Sequence, residues 1–307
     1  MSCISWNCRG LGNPLAVQVL VDMIHLKRPK LVFLMETFCN SSKIEMVRKK
    51  TGMHAGFGVD SIGHRGGIAL LWEDGVHVDV RDSSPNFIDA WVRMEDEKPT
   101  WRFTGFYGFS ERHRRRESWE LLRLLSSRSQ LPWLVMGDFN DILFASEKKG
   151  RVPHPPWLLR GFRDAVYGSG LHNVSFEGYQ FTWERWRGSR NWVEEKLDRI
   201  LASTSWMERF SEAAAQSLEG SPSDHMALYI CLSPARGINR RRRFKFENVW
   251  LWEEDCRDVV IRGWQLGREG GVMGQISTCA KAVDIWEKIN MGNIVDGLLS
   301  ANGDWSF

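Results

Sequence analysis

The stretch "WLVMGDFND", residues 133–141, is apolar from Trp133 to Met136 and turns polar at Asp138, Asn140 and Asp141. A short apolar run of this kind reads as a buried β-strand. Its polar end raises the question of what Asp138 does there. Standing alone, an aspartate after an apolar strand is a turn or helix-cap residue. The rest of the chain decides between that reading and a working group.

Other strand ends repeat the pattern. "LVFLMET" (31–37) delivers Glu36 after a buried run, and "SWNCRG" (5–10) sets Asn7 behind a short strand in which Ile4 and Trp6 alternate toward the core. "GSPSDHMALYI" (220–230) places Asp224 and His225 before an apolar strand, and "RFTGFYG" (102–108) puts Tyr107 beside a glycine. Each has a plain explanation alone: Glu36 as a surface cap, Asp-His as chance neighbours, Tyr107 as core filler, Gly10 as a permitted turn. Taken together they are harder to dismiss. Desolvating carboxylates costs several kcal/mol unless they are paired or bound to metal. Carboxylate, amide, imidazole and phenol groups at several strand ends describe one oxygen-rich metal site. Hard oxygen donors without Cys/His ligand spacing suit Mg²⁺ rather than zinc.

Short apolar runs recur outward from these ends, among them "SCISW", "GIALLW", "VHVDV", "FIDAWVRM", "WRFTGFYG" and "ALYICL". Helix-period stretches lie between several of them. "PLAVQVLVDMIHLKRP" carries Pro14 near its start and Pro29 beyond its end, "ERHRRRESWELLRLLSSRSQ" spaces Trp119, Leu122 and Leu125 helically, and "WLLRGFRDAVYGSG" closes on glycines. Strands alternating with helices, together with hairpin-like strand pairs, predict an α/β architecture of mixed sheets packed on each other with helices outside. The strand rhythm stops near 235. A boundary there gives a domain over 1–235 and a basic linker with a helical tail over 236–307.

Length and composition agree with one large domain plus an appendage: 307 residues, 43% hydrophobic, with a net charge of only +3. Arg112, Arg114, Arg115 and Arg116 fall together, as do Arg240 to Arg243; both clusters read equally as phosphate contacts or as solvated faces. Six scattered cysteines without a CxxC predict free thiols in a reducing compartment. The N-terminus lacks a basic region followed by an apolar run, and no apolar run approaches membrane-spanning length. The expectation is an intracellular protein that is neither secreted nor membrane-bound. Arg240–Arg243 read as a nuclear-targeting or nucleic-acid patch on one view and as a solvated linker on the other.

In their order along the chain, "SWNCRGLGNP", "LVFLMET", "GGIALLW", "GFYG", "GDFNDIL", "FTW", "EKLDRIL" and "SPSDHMALYI" resemble the endonuclease/exonuclease/phosphatase superfamily, which includes DNase I and the abasic-site endonucleases. The likeness is strongest to the endonuclease domain of plant LINE-type non-LTR retrotransposons, carried by "SWNCRGLGNP", "GFYG", "GDFNDIL", "LDRIL" and, beyond the domain, "RRFKFENVW" (242–250). It covers roughly residues 1–235 with specific motifs.

The resemblance implies a four-layer α/β sandwich of two mixed sheets between helices, with the site at one edge. It implies that Glu36 binds Mg²⁺ (Mn²⁺ substituting), with Asp224 and Asn7 close to the metal. Asp138 would orient or deprotonate the attacking water, while Asn140 holds that water and a phosphate oxygen. His225 would donate to the scissile phosphate with Asp198 fixing its ring, Tyr107 would contact the phosphate, and Thr182 would lie near the nucleic-acid strand. Abasic-site endonucleases carry an aspartate where this chain has Arg9, so Arg9 favours the retrotransposon branch and joins the substrate-binding candidates. "ERWRG" after "FTW" departs from the small polar residues of relatives. No reverse-transcriptase motif follows, so the tail reads as a remnant of the joint to a polymerase domain, leaving Trp250, Trp252, Trp264 and Trp286 partly exposed. The implied function is a monomeric, Mg²⁺-dependent endonuclease that nicks DNA to leave a 3′-hydroxyl. A same-fold phosphatase on a small or lipid phosphate ester, and a non-catalytic retrotransposon-derived remnant, are the competing readings.

Overall fold

The computed structural model describes residues 1–63, 66–94, 100–218, 223–233 and 254–268, with individual residues between 271 and 286. The chain divides into two compact units, Met1–Pro234 and Ala235–Phe307. The first unit opens with β1 (Ser2–Asn7), α1 (Pro14–Lys27), β2 (Leu31–Met35), α2 (Ser41–Thr51), β3 (Ala55–Val59) and β4 (Ile68–Trp72). It continues through β5 (Val76–Ser84), β6 (Phe87–Met94), β7 (Trp101–Tyr107), α3 (Arg115–Ser126), β8 (Trp133–Asp138), β9 (Lys148–Lys149), α4 (Pro156–Gly168) and β10 (Leu171–Asn173). β11 (Trp183–Arg185), β12 (Val193–Glu195), β13 (Asp198–Ser203), α5 (Thr204–Arg209), β14 (Ala214–Leu218) and β15 (Ala227–Cys231) complete it. In the second unit α6 (Glu254–Leu266) is described; Trp264 is 43% exposed there, while Arg240–Arg243, Trp250 and Trp252 lie outside the described residues.

Two six-stranded sheets form, in the orders β14-β15-β1-β2-β4-β3 and β10-β13-β8-β7-β6-β5. Each holds one parallel pair at its centre, β1 with β2 and β7 with β8, inside otherwise antiparallel pairings. A parallel pair needs a crossover, and α1 and α3 supply them. Asn13 caps α1 by accepting the Leu15 amide, and Pro14 stands in its first turn.

Alternation then sorts the side chains into layers. Cys3, Leu31, Phe33 and Met35 of one sheet meet Ile88, Ala90, Phe103, Leu134 and Met136 of the other to form the central core. On the opposite face Ile4, Trp6, Val32 and Leu34 pack under Val17, Leu20, Ile24, Ile44 and Val47 of α1 and α2. The second sheet repeats this arrangement, with Phe106 and Val135 under Trp119, Leu122, Phe162 and Val166 of α3 and α4. The result is the DNase I-like α/β sandwich: helices, sheet, sheet, helices. All six cysteines are free thiols. Among the described residues, no helix is long and apolar enough to cross a membrane.

Candidate active site

The topology gathers the polar strand ends at one edge. β1, β2, β7 and β8 finish there with Asn7, Glu36, Tyr107 and Asp138, while the antiparallel β13 and β15 begin there with Asp198 and, just before β15, His225. Two sheets therefore contribute to one cluster. β13 and β8 pair with Asp198 opposite Asp138, which puts two carboxylates on the same spot. On the other side of β8, Gly137 permits the close approach of β7 that brings Tyr107 beside Asp138: its φ is +154°, and a Cβ there would stand 1.8 Å from the Phe106 carbonyl oxygen.

Asn7 joins the sheets. Its Nδ2 donates to Glu36 Oε1 and Asp138 Oδ2 at 3.0 Å each and lies 3.5 Å from His225 Nε2. His225 Nδ1 is 2.8 Å from Asp198 Oδ2, and its Nε2 is 3.8 Å from Asp138 Oδ2. Tyr107 donates its hydroxyl proton to Glu36 Oε1 at 2.9 Å. The Asn140 amide donates to Asp138 Oδ1 at 2.8 Å, and its Nδ2 donates to the Gly108 carbonyl at 2.9 Å. Glu36 and Asn140 both sit at positive φ, +49° and +53°, a conformation that non-glycine residues adopt chiefly where surrounding structure imposes it.

Burial sets the electrostatics. Asn7, Asp138, Asp198 and His225 are all buried. Burial lifts the Asp138 carboxyl to about 6; the His225 charge opposes that rise and Asp198 reinforces it. For His225 burial works against the charged ring, but Asp198 and then Asp138 outweigh it and hold its pKa at about 9. Burial and then the Glu36 charge push the Tyr107 phenol far up, so it stays a neutral donor. At neutral pH the cluster pairs an ionised Asp138 with a protonated imidazole.

Glu36 and Asp224 form the wetter side. Trp183 Nε1 donates to Asp224 Oδ2 at 2.9 Å, and Arg9 Nη1 donates to the same oxygen. Ser223 ties this segment to β1, donating to the Asn7 carbonyl at 2.8 Å and accepting the His225 amide at 3.1 Å. Asn7 Oδ1 and Asp224 Oδ1 are buried without a hydrogen-bond partner. With Glu36 they offer amide and carboxylate oxygens and no sulfur, a donor set that fits a hard divalent cation. Asp138, Asp198 and His225 also present ligand atoms within 4.8 Å of one another. In that trio Asp138 Oδ1 and Oδ2 and Asp198 Oδ2 already take hydrogen bonds from Asn140, Asn7 and His225, leaving Asp198 Oδ1 unpartnered, whereas Asn7, Glu36 and Asp224 offer two unpartnered buried oxygens and form the more open set of hard donors.

The fold corrects one expectation and narrows one open reading. Thr182, expected beside a nucleic-acid strand, is fully buried, and its Oγ1 accepts the Leu197 and Asp198 amides at 3.0 and 2.8 Å. It braces the Asp198 backbone and presents no surface. The Arg112–Arg116 cluster is largely committed elsewhere: Arg114 pairs with Glu117, Arg115 donates to the Ser110 carbonyl, and Arg116 lies over Trp157. Trp183 and Ser223 escaped the sequence reading, although both stand beside motif residues in "FTW" and "SPSDH". Between β11 and β12 a hairpin extends from Trp183 next to the site. It carries Trp186 and Trp192 at 55% and 38% exposure, with the Arg185 guanidinium 4.3 Å from the Trp186 ring centre and Arg187 and Arg190 also exposed.

The Endonuclease/Exonuclease/phosphatase family is matched over residues 4–225. Among solved structures, the endonuclease domain of TRAS1, a telomere-specific non-LTR retrotransposon, superposes with a TM-score of 0.58 at 13% identity, covering 76% of this chain and 99% of that one. The 3′-5′ exonuclease NExo from Neisseria meningitidis gives a TM-score of 0.57 at 16% identity, covering 75% and 99%. An AP endonuclease from Archaeoglobus fulgidus gives 0.57 at 15% identity, covering 75% and 98%. These likenesses concern the fold. No curated protein matches the sequence.

Proposed function

This chain belongs to the Endonuclease/Exonuclease/phosphatase family, and from that premise we propose that it is a Mg²⁺-dependent endonuclease that nicks DNA and leaves a 3′-hydroxyl. One observation carries the reading. The buried network of Asn7, Asp138, Asp198 and His225 opens onto three partly free oxygen donors beside a hairpin of exposed Trp and Arg side chains. Exposed aromatics stack on bases whatever their sequence, and guanidinium groups track phosphates. A small phosphate ester needs neither.

In this reading Asp138 accepts a proton from a water positioned by Asn140, and its raised pKa suits a base working near neutrality. That water attacks phosphorus in line, and the P–O3′ bond breaks with the electron pair leaving on the 3′-oxygen, which is then protonated. His225, protonated and held by Asp198, donates to a phosphoryl oxygen as negative charge grows on it, and the neutral Tyr107 phenol adds a second donor once its proton turns from Glu36 Oε1 to the phosphate. Glu36, Asp224 and Asn7 would hold Mg²⁺, which supplies further positive charge to the phosphoryl group. A nuclear location goes with this reading, Arg240–Arg243 serving as a targeting or nucleic-acid patch or as a solvated linker; those residues lie outside the described ones.

A supercoiled-plasmid nicking assay with Mg²⁺, and with a chelator, tests this. Nicked circles that form only with metal and that a polymerase can extend are expected. Absence of nicking, with phosphate released from an inositol phosphate, overturns the endonuclease reading in favour of a small-ester phosphatase. Inactivity on both substrates points to a non-catalytic remnant.

A further inference from the structure

Arg9 occupies the mouth of the proposed metal cradle. Its Nη1 donates to Asp224 Oδ2 and its Nε lies 3.7 Å from Glu36 Oε2, so one guanidinium spans both carboxylates. Its side chain is 53% exposed, against 18% for Glu36 and 21% for Asp224. The backbone turns to φ +45° at Arg9 and +49° at Glu36, conformations that only a few per cent of non-glycine residues adopt. Both departures occur where the two side chains meet.

The remaining hydrogen bonds show what Arg9 does not do. Glu36 is oriented by Asn7 and Tyr107 through Oε1, and Asp224 by Trp183 through Oδ2. Both carboxylates keep those partners if Arg9 swings into solvent. Arg9 therefore contributes charge to the cradle more than position. Resting on the metal reading above, we propose that Arg9 is a displaceable countercation: it neutralises Glu36 and Asp224 in the metal-free protein and yields them to the incoming divalent ion.

This role has an unusual sign. Removing a group that orients a cradle weakens metal binding, whereas removing a competing positive charge strengthens it. Calorimetric titration of Mg²⁺ and Mn²⁺ into the full chain, for the parent, Arg9→Gln, Arg9→Lys and Glu36→Gln, separates the cases. Arg9→Gln is expected to lower the metal Kd about tenfold, after discounting for solvent screening of a half-exposed charge. Arg9→Lys, one ammonium unable to span both carboxylates, should fall between Arg9→Gln and the parent. Glu36→Gln should weaken binding at least as strongly as Arg9→Gln tightens it. Melting in chelator checks that each variant folds, and Arg9→Lys decides if Arg9→Gln does not. An unchanged or raised Kd for the Arg9 variants, with Glu36→Gln weakened, overturns the countercation and leaves the cradle standing. Failure of the parent to bind metal, or indifference to Glu36→Gln, overturns the cradle and Arg9's role with it.

Discussion

The floor of the site and its rim use the same kinds of side chain under opposite conditions of solvation. On the floor Asp138, Asp198 and His225 are buried against Asn7; burial lifts the Asp138 pKa, and the Asp198 and Asp138 charges outweigh burial and lift that of His225. At the rim Arg9 is half exposed, and Arg185, Arg187 and Trp186 stand in water. Coulomb energies grow as the dielectric falls, so a charge lost from the floor costs far more than one lost from the rim. Chemistry is expected to concentrate on the floor, and affinity and its salt dependence at the rim.

The largest effect should follow from breaking the floor. Asp138→Asn and His225→Ala are each expected to cut plasmid nicking about 10³-fold while circular dichroism stays unchanged. The two groups serve one proton inventory, so the double variant should fall little further than either single one. A variant that nicks within tenfold of the parent breaks the contrast between floor and rim.

Next in size is a pH effect on the metal-free protein. His225 has its pKa raised to about 9, so its stabilising contribution is complete below the unfolded value near 6.5 and is lost as pH rises through about 9. Asp138 is raised to about 6, so the cost of its buried charge is present above that value and is relieved as pH falls through it. Both groups make the chain more stable at pH 6 than at pH 9.5, by on the order of a few kcal/mol. Urea melts in chelator at the two pH values measure this, and His225→Gln should remove most of the difference. An equal pH dependence in that variant locates the effect elsewhere.

Thr182→Val ranks third and tests how the floor is supported. The valine leaves the buried Leu197 and Asp198 amides without their acceptor, an expected loss of about 1–3 kcal/mol in denaturant unfolding. Binding of a short duplex should barely change. A large loss of duplex affinity with unchanged stability would return Thr182 to the nucleic-acid surface.

These residues also mark how far the sequence could be read. The central strands were legible because runs such as "LVFLM" and "WLVMG" are buried on both faces and leave no competing pattern. α2 and β3 were not: only Ile44, Val47 and Thr51 of α2 are buried, and β3 carries Gly56 and Gly58. The strand ends exposed Asn7, Glu36, Asp138 and Asp224 as candidates, but spacing said nothing about which faced which. The Asp198–His225 pair came from family resemblance, since it depends on β13 lying beside β8 with Asp198 opposite Asp138. The placement of Thr182 beside a nucleic-acid strand also came from the resemblance, and its inward-facing hydroxyl follows from the backbone of Leu197 and Asp198, which no local spacing in the sequence predicts.

The smallest effects belong to the hairpin between β11 and β12. Trp186 sits at φ +57°, a conformation few bulky residues adopt, with Arg185 against its ring. Trp186→Ala should weaken binding of a short DNA duplex by about 1 kcal/mol, the lower end of base–aromatic stacking. Arg187→Ala should weaken it less, while reducing the slope of log affinity against log salt by roughly one. Fluorescence anisotropy across a salt series separates the two: stacking lowers affinity at every salt concentration, whereas a phosphate contact fades as salt rises. Neither substitution should change the nicking rate at saturating DNA. If Trp186→Ala lowers that rate as severely as Asp138→Asn does, the hairpin takes part in aligning the scissile phosphate, and the division between a dry floor for chemistry and a wet rim for affinity fails there.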